Sequence, residues 1–213
     1  MCNRARLKTE PETLFTRFGG EWLTPKPMDN RFDPTELRPK GRAYVMREDG
    51  GRFGVDVMSW DVLGGGAKWP MTNVRNLASP QWRRLAERPE NRCLVPLTEF
   101  CEWTPDTHAV GSGKPLKGEM WFGVVDQPIF MVAGFWQETR EGRGFAMVTC
   151  DANALVEPIH PKAMITILHP DDHQRWLQCP LEEVTGFQRP FPADRMTVRG
   201  PVFPTRQSQA VLA

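Results

Sequence analysis

The residues with the widest chemical range stand at the start of the chain, Met1-Cys2-Asn3-Arg4. Removal of Met1, which the small side chain of Cys2 permits, leaves an α-amine and a thiol on adjacent carbons. An α-amine titrates at roughly 7.7–8.0, so an appreciable fraction is a free nucleophile at neutral pH. Such a 1,2-aminothiol traps an aldehyde as a carbinolamine, then a Schiff base, then a five-membered thiazolidine ring. An internal cysteine cannot do this. The alternative is a frayed, solvated end that carries an incidental cysteine.

Three other places offer chemistry. Asn73 and Arg75 stand two residues apart in Thr72-Asn73-Val74-Arg75-Asn76; on an extended backbone both point to one side. An amide orienting a nucleophile beside a guanidinium that binds phosphate is one reading, and ordinary loop capping is the other. Glu102 lies between Cys101 and Trp103 in an apolar, strand-like stretch. A carboxyl desolvated against an indole has a raised pKa, as a proton-transfer group near neutrality requires, whereas a strand-edge glutamate facing water does not. His160, in Glu157-Pro158-Ile159-His160-Pro161-Lys162, suits either proton transfer or a hydrogen-bonded strand end. His169 and His173 have helical i,i+4 spacing but no third ligand nearby, so no metal is expected there. Cys93 and Cys101 read as core thiols.

These residues need elements to hold them. A short helix is expected over 9–18, with Thr9 and Glu12 as a capping box and Gly19-Gly20 as its stop. A proline-punctuated loop follows over 21–42. Strands are expected at 43–48 and 53–63, joined through Asp49-Gly50-Gly51, before Gly64 to Gly66 break the pattern. After the extended 72–76 stretch, a helix starts at Pro80 with Ser79 as N-cap and stops at Pro89. Residues 92–103 read as strand interrupted at Pro96. A flexible loop over 105–118 leads to strands at 120–125, 128–136, 144–150 and 163–168. Helices are expected near 170–178 and from Pro180, with an irregular tail after about Gly200. Strands and helices do not alternate, which argues against a doubly wound parallel sheet and for an α+β domain with a curved, mixed or antiparallel sheet.

The bulk numbers bound the rest. The 213 residues, 40% hydrophobic and 25% charged, suit one domain over 1–213 with a substantial core. The net charge of +1 means that nucleic-acid binding needs a local basic surface. Five cysteines without a CxxC pair suit reduced thiols in the cytoplasm. No signal peptide or membrane span is read from the sequence.

Taken together, Cys2, Asn73-x-Arg75, Glu102-Trp103 and His160 resemble the signature of the SRAP (SOS-response-associated peptidase) family. The resemblance runs from Cys2 to about residue 180 and includes the Ser59-Trp60-Asp61-Val62-Leu63, Cys93-Leu94-Val95-Pro96 and Ile159-His160-Pro161-Lys162-Ala163-Met164 stretches. It implies an α+β fold with a bifurcated, barrel-like sheet flanked by short helices. It also implies an abasic-site sensor that binds single-stranded DNA and crosslinks through Cys2 to the ring-opened sugar. Asn73 would orient the amine or substrate, Glu102 serve as acid/base, and His160 assist at the opened sugar. Arg75, Lys162 and Thr149 would contact phosphate with Arg4 close by, while Trp60 and Trp103 would stack on bases. No cofactor and no membrane is implied, the partner is single-stranded DNA containing abasic sites, and a monomer associating with the nucleoid through DNA is expected. This chain departs from the family pattern at Asn3, at Asn76-Leu77, at Pro161-Lys162-Ala163 and after Trp60. Two other readings of Cys2 stay open: an N-terminal-nucleophile thiol peptidase or amidohydrolase, and a non-catalytic single-stranded DNA-binding module.

Overall fold

A computed structural model describes residues 2–26, 35–65, 68–110 and 113–203. The expectations for Met1, for 27–34 of the first loop, for Gly66, for 111–112 and for the tail beyond 203 lie outside the described residues. In chain order the strands are β1 (Arg4–Arg6), β2 (Glu21–Trp22), β3 (Arg42–Asp49), β4 (Arg52–Ser59), β5 (Asn73–Val74) and β6 (Arg92–Leu97). They continue as β7 (Glu99–His108), β8 (Leu116–Val124), β9 (Phe130–Thr139), β10 (Gly142–Cys150), β11 (Met164–Ile165) and β12 (Met196–Val202). The helices are α1 (Pro11–Phe18), α2 (Pro80–Ala86), α3 (His173–Gln178) and α4 (Leu181–Val184).

Strands β4, β3, β6, β9 and β10 run side by side, and a parallel contact of Gly144 with Ser59 joins β10 back to β4. The result is the α+β fold with a barrel-like sheet that the sequence led us to expect. A second sheet, ordered β1-β7-β8-β12, branches off where β6 passes into β7 at Thr98. Both faces of the barrel strands are buried, which is why they read as near-continuous apolar runs. Val45, Val95, Phe145 and Met147 pack with Cys2, Phe100 and Phe122 of the second sheet. Their neighbours Met46, Leu94, Ala146 and Val148 pack with Trp82 of α2 and Trp176 of α3.

Arg92, with 1% of its surface exposed, ties the two helices down. Its guanidinium donates to the Ala86 carbonyl at the end of α2 (2.7 Å) and the Cys179 carbonyl just past α3 (2.6 Å). Carbonyls at two helix C-termini thus surround a cation that makes no ion pair among the described residues.

Several local expectations need correction. Glu10, not Thr9, is the N-cap of α1, and no side-chain cap bond forms there. Gly50 and Gly51 both take positive φ, +57° and +80°, as a tight two-residue β3–β4 turn requires. Residues 60–63 leave the strand at Ser59. The strand break expected at Pro96 falls instead at Thr98, because Pro96 pairs with Met131 on β9 and lies beyond the single Met46–Leu94 bridge to β3. The expected 105–118 loop is largely hairpin, with β7 reaching His108 and β8 starting at Leu116. The tail expected to be irregular after about Gly200 carries the end of β12, which starts at Met196 and pairs with β8 with a register shift between Arg199 and Val202.

Candidate functional site

Strand β1 delivers Cys2. It pairs antiparallel with β7, Arg4 opposite Cys101 and Ala5 opposite Phe100. Cys2 is 1% exposed, with Sγ 3.4 Å from the Arg4 carbonyl and 4.0 Å from the Cys101 carbonyl. Burial pushes its thiol well above the ordinary cysteine range, and the Glu102 charge adds to that push. Cys2 therefore remains a thiol until a base takes its proton.

Asn73 reaches the same place from β5, which pairs in parallel with β10 through Asn73–Met147. Its Nδ2 donates to the Cys2 carbonyl at 3.0 Å and to Thr72 Oγ1 at 2.8 Å. Its buried Oδ1 has no hydrogen-bond partner among the described residues.

Glu102 comes from β7, opposite Met120 on β8, and is 4% exposed. One carboxyl oxygen is buried with no partner among the described residues. Desolvation pushes its pKa up to about 7. The indole expected to cause this does not. Adjacent strand residues face opposite sides, so Trp103 points away from Glu102 and is 36% exposed. The apolar surroundings on the Glu102 face come instead from Phe100 and Met120, which pack into the core containing Cys2.

His160 ends the turn before β11. Its backbone N–H donates to the Val156 carbonyl at 2.9 Å, and its Nδ1 lies 2.7 Å from the Ala163 carbonyl. A carbonyl only accepts, so this contact places a proton on Nδ1. Both β5 and β11 pair with β10, which brings the Asn73 and His160 segments to one strand. Ile159, beside His160, packs against the core cluster that includes Cys2.

The residues expected to touch DNA divide into two groups. Arg75 and Lys162 are exposed beyond the ends of β5 and on the His160 turn, and Arg75 pairs with Asp151 across the surface. Trp103 is part-exposed, and Trp69, in the loop before β5, is 74% exposed. The other group is buried. Trp60 is fully buried, stacks on Phe145 and donates its indole N–H to the Thr72 carbonyl at 2.8 Å, leaving no face for a base. Thr149 is also fully buried, and its hydroxyl lies 3.3 Å from the Val74 carbonyl. Arg4, 7% exposed, pairs with Glu119 and with Glu36 rather than facing solvent. Asn73 and Arg75 do not share a side either: β5 ends at Val74, so the alternation behind that expectation stops before Arg75.

Sequence reasoning missed Asp151, Gln188, Glu36 and Glu119. Gln188 donates to both the Arg75 carbonyl (2.5 Å) and the Thr149 carbonyl (2.6 Å), clamping β5 to β10 from the C-terminal side. Each acts across a long sequence separation, and no local pattern marks it.

The family model described as SOS response associated peptidase (SRAP) matches residues 1–202. No curated protein is matched. Among solved structures, the chain is similar to a protein from Bacteroides thetaiotaomicron (TM-score 0.75, 21% identity, 92% of this chain and 90% of that one). A protein from Bordetella bronchiseptica matches with a TM-score of 0.73 at 19% identity, over 92% of this chain and 98% of that one. A phage-related protein from the same organism gives 0.68 at 20% identity, over 97% and 95%. At these identities the likeness concerns the fold.

Proposed function

Because the chain belongs to the SOS response associated peptidase (SRAP) family, which supports a DNA-damage-associated function, we propose that it senses abasic sites in single-stranded DNA and captures them covalently at Cys2. The observation that carries this reading is the convergence of Cys2, Asn73 and Glu102, with Asn73 bonded to the Cys2 carbonyl and, beside the thiol, a carboxyl whose pKa burial pushes up to about 7.

In this mechanism Met1 has been removed. The free α-amine of Cys2 attacks C1′ of the ring-opened sugar, forming a carbinolamine. Protonated Glu102 gives its proton to the departing hydroxyl, water leaves, and an iminium ion that keeps its N–H forms. The Glu102 carboxylate then accepts the thiol proton as sulfur adds to the iminium carbon, closing the thiazolidine and restoring the acid. A pKa near 7 lets one group serve both steps. Asn73 fixes the residue-2 backbone, and His160 moves the proton that opens the sugar ring. Arg75 and Lys162 hold flanking phosphates, and Trp103 offers a partly open face for base stacking.

The peptidase reading requires thiolate attack on an amide, and a thiol whose pKa is raised by burial disfavours that route. In aldehyde capture the amine attacks first and the thiol follows. The test is intact mass after incubation with abasic single-stranded DNA. One covalent adduct per chain that is stable without reductant, lost in Cys2→Ala while non-covalent binding persists, is the expected result; a reductant-independent adduct that survives Cys2→Ala sinks the proposal.

A further inference from the structure

The proposed chemistry places the reacting amine at a chain end, where backbone usually frays, and β1 that carries it is only three residues long. What holds β1 is unusual for an edge strand. Arg4 and Arg6 share one face and reach across β7 to β8, passing the small side chain of Cys101, which lies opposite both Arg4 and Trp121. The Arg4 guanidinium donates to Glu119, which is 3% exposed, and through Nε to Glu36 at 2.7 Å. Glu119 also accepts from the Trp121 indole at 3.0 Å, and the Arg6 guanidinium lies over the Trp121 ring, 3.6 Å from its centroid. On the outer edge of β1, Ala5 and Leu37 exchange both backbone hydrogen bonds, at 3.0 and 2.8 Å.

We propose that the Arg4–Glu119 pair is the anchor that holds residue 2 against Glu102 and Asn73, making both Arg4 and Glu119 positioning residues for aldehyde capture. It rests on the proposed function, and it reassigns Arg4 from phosphate contact to backbone placement. Two features separate the roles. The cation is enclosed by two carboxylates, so an incoming phosphate would meet negative charge at the position Arg4 occupies. The Arg4 carbonyl lies 3.4 Å from the Cys2 thiol, so a shift of β1 moves the reacting residue directly. Breaking a buried pair from one side leaves an uncompensated charge, and here the strain falls on the strand bearing the nucleophile. A misplacement of about 1 Å can cost on the order of 10²-fold in rate.

The experiment compares Glu119→Gln with wild type in two assays: the single-turnover capture rate at saturating abasic single-stranded DNA, and the Kd for the same strand carrying a tetrahydrofuran site, which has no aldehyde. The anchor role gives a capture rate lowered by about 10- to 100-fold with the Kd essentially unchanged. A changed Kd with an unchanged saturating rate overturns it, and a tighter Kd in particular returns Arg4 to phosphate binding, since Glu119→Gln removes negative charge beside it; two unchanged values overturn it as well. If Glu119→Gln does not fold, Glu36→Gln removes only the outer acceptor, and a smaller fall in rate at constant Kd is expected. No fall there overturns the anchor. Should wild type form no adduct, the capture reading fails on its own, and the anchor is judged by amide hydrogen exchange. Faster exchange at Ala5 and Leu37 in either variant supports it, and unchanged exchange removes it.

Discussion

The side-chain amide of Asn73 donates to the backbone carbonyl of Cys2 across 3.0 Å, joining residues 71 positions apart. The bond holds the backbone of residue 2 without engaging the thiol, which lies against the Arg4 and Cys101 carbonyls. Asn73→Ala removes the donor and leaves a buried carbonyl unpaired, costing about 1–3 kcal/mol. Urea unfolding should show that loss, and the capture rate should fall with it. Asn73→Asp, which offers an acceptor instead of a donor at Nδ2, should not restore the rate.

The pH dependence of capture should report Glu102 and the α-amine together. The amine must be free, giving a rise toward roughly pH 8, and Glu102 must be protonated, giving a fall above its pKa of about 7. The product is a bell with its maximum between the two. Glu102→Gln should lower the rate by about 10²–10⁴-fold and abolish the alkaline limb. A time course across pH checks this, and a wild-type rate in Glu102→Gln would reduce Glu102 to a structural residue.

Folding stability should depend on pH through the same carboxyl. Its folded pKa, about 7, lies above its ordinary value of 4.5. Stability from Glu102 is therefore complete below about pH 4.5 and is lost as pH rises through 7, by something on the order of 2–4 kcal/mol. Glu102→Gln has no proton to lose, so it should be the more stable protein at pH 8 even as it captures more slowly. Chemical denaturation of both proteins at pH 5 and pH 8 decides it.

Cys2→Ser keeps the amine and replaces the thiol with a poorer ring-closing group. It should still form a Schiff base that borohydride traps, but the adduct should be labile without reduction. An extension that cannot be removed ahead of Cys2 should abolish capture, and the active protein should begin at Cys2 by intact mass. An active preparation that retains Met1 in full would falsify the amine-first mechanism.

Binding of single-stranded DNA should weaken with salt along a shallow slope, since each phosphate contact contributes about 0.7 on single strands. Arg75→Ala should reduce the slope by about that amount and weaken all sequences alike. Lys162→Ala should act in the same way. Thr149→Val should leave the slope unchanged, because its hydroxyl is buried against Val74. Salt titrations of the three variants check all of this.

Much of this protein is legible locally. The two-glycine turn after Asp49, the helix opened by Ser79-Pro80 and the stop at Gly19 follow from interactions within a few residues, and the sequence alone places them. The residue types that the proposed aldehyde capture needs are legible too, although a cysteine at residue 2 and a carboxyl in an apolar strand also fit a thiol peptidase or plain structural roles. The tertiary structure decided which side chains reach solvent and which reach each other. Trp60, Thr149 and Arg4 looked like DNA contacts and are buried, and the desolvation of Glu102 comes from Phe100 and Met120 rather than from its neighbour Trp103. The strand at Met196–Val202 pairs with β8, a partner more than seventy positions away in Met196–Val124. These outcomes hinge on sheet register, where a slip of one residue turns every side chain to the opposite face. Register is set by contacts between strands a hundred residues apart, such as Arg4 with Glu119, and no window of local sequence contains both partners.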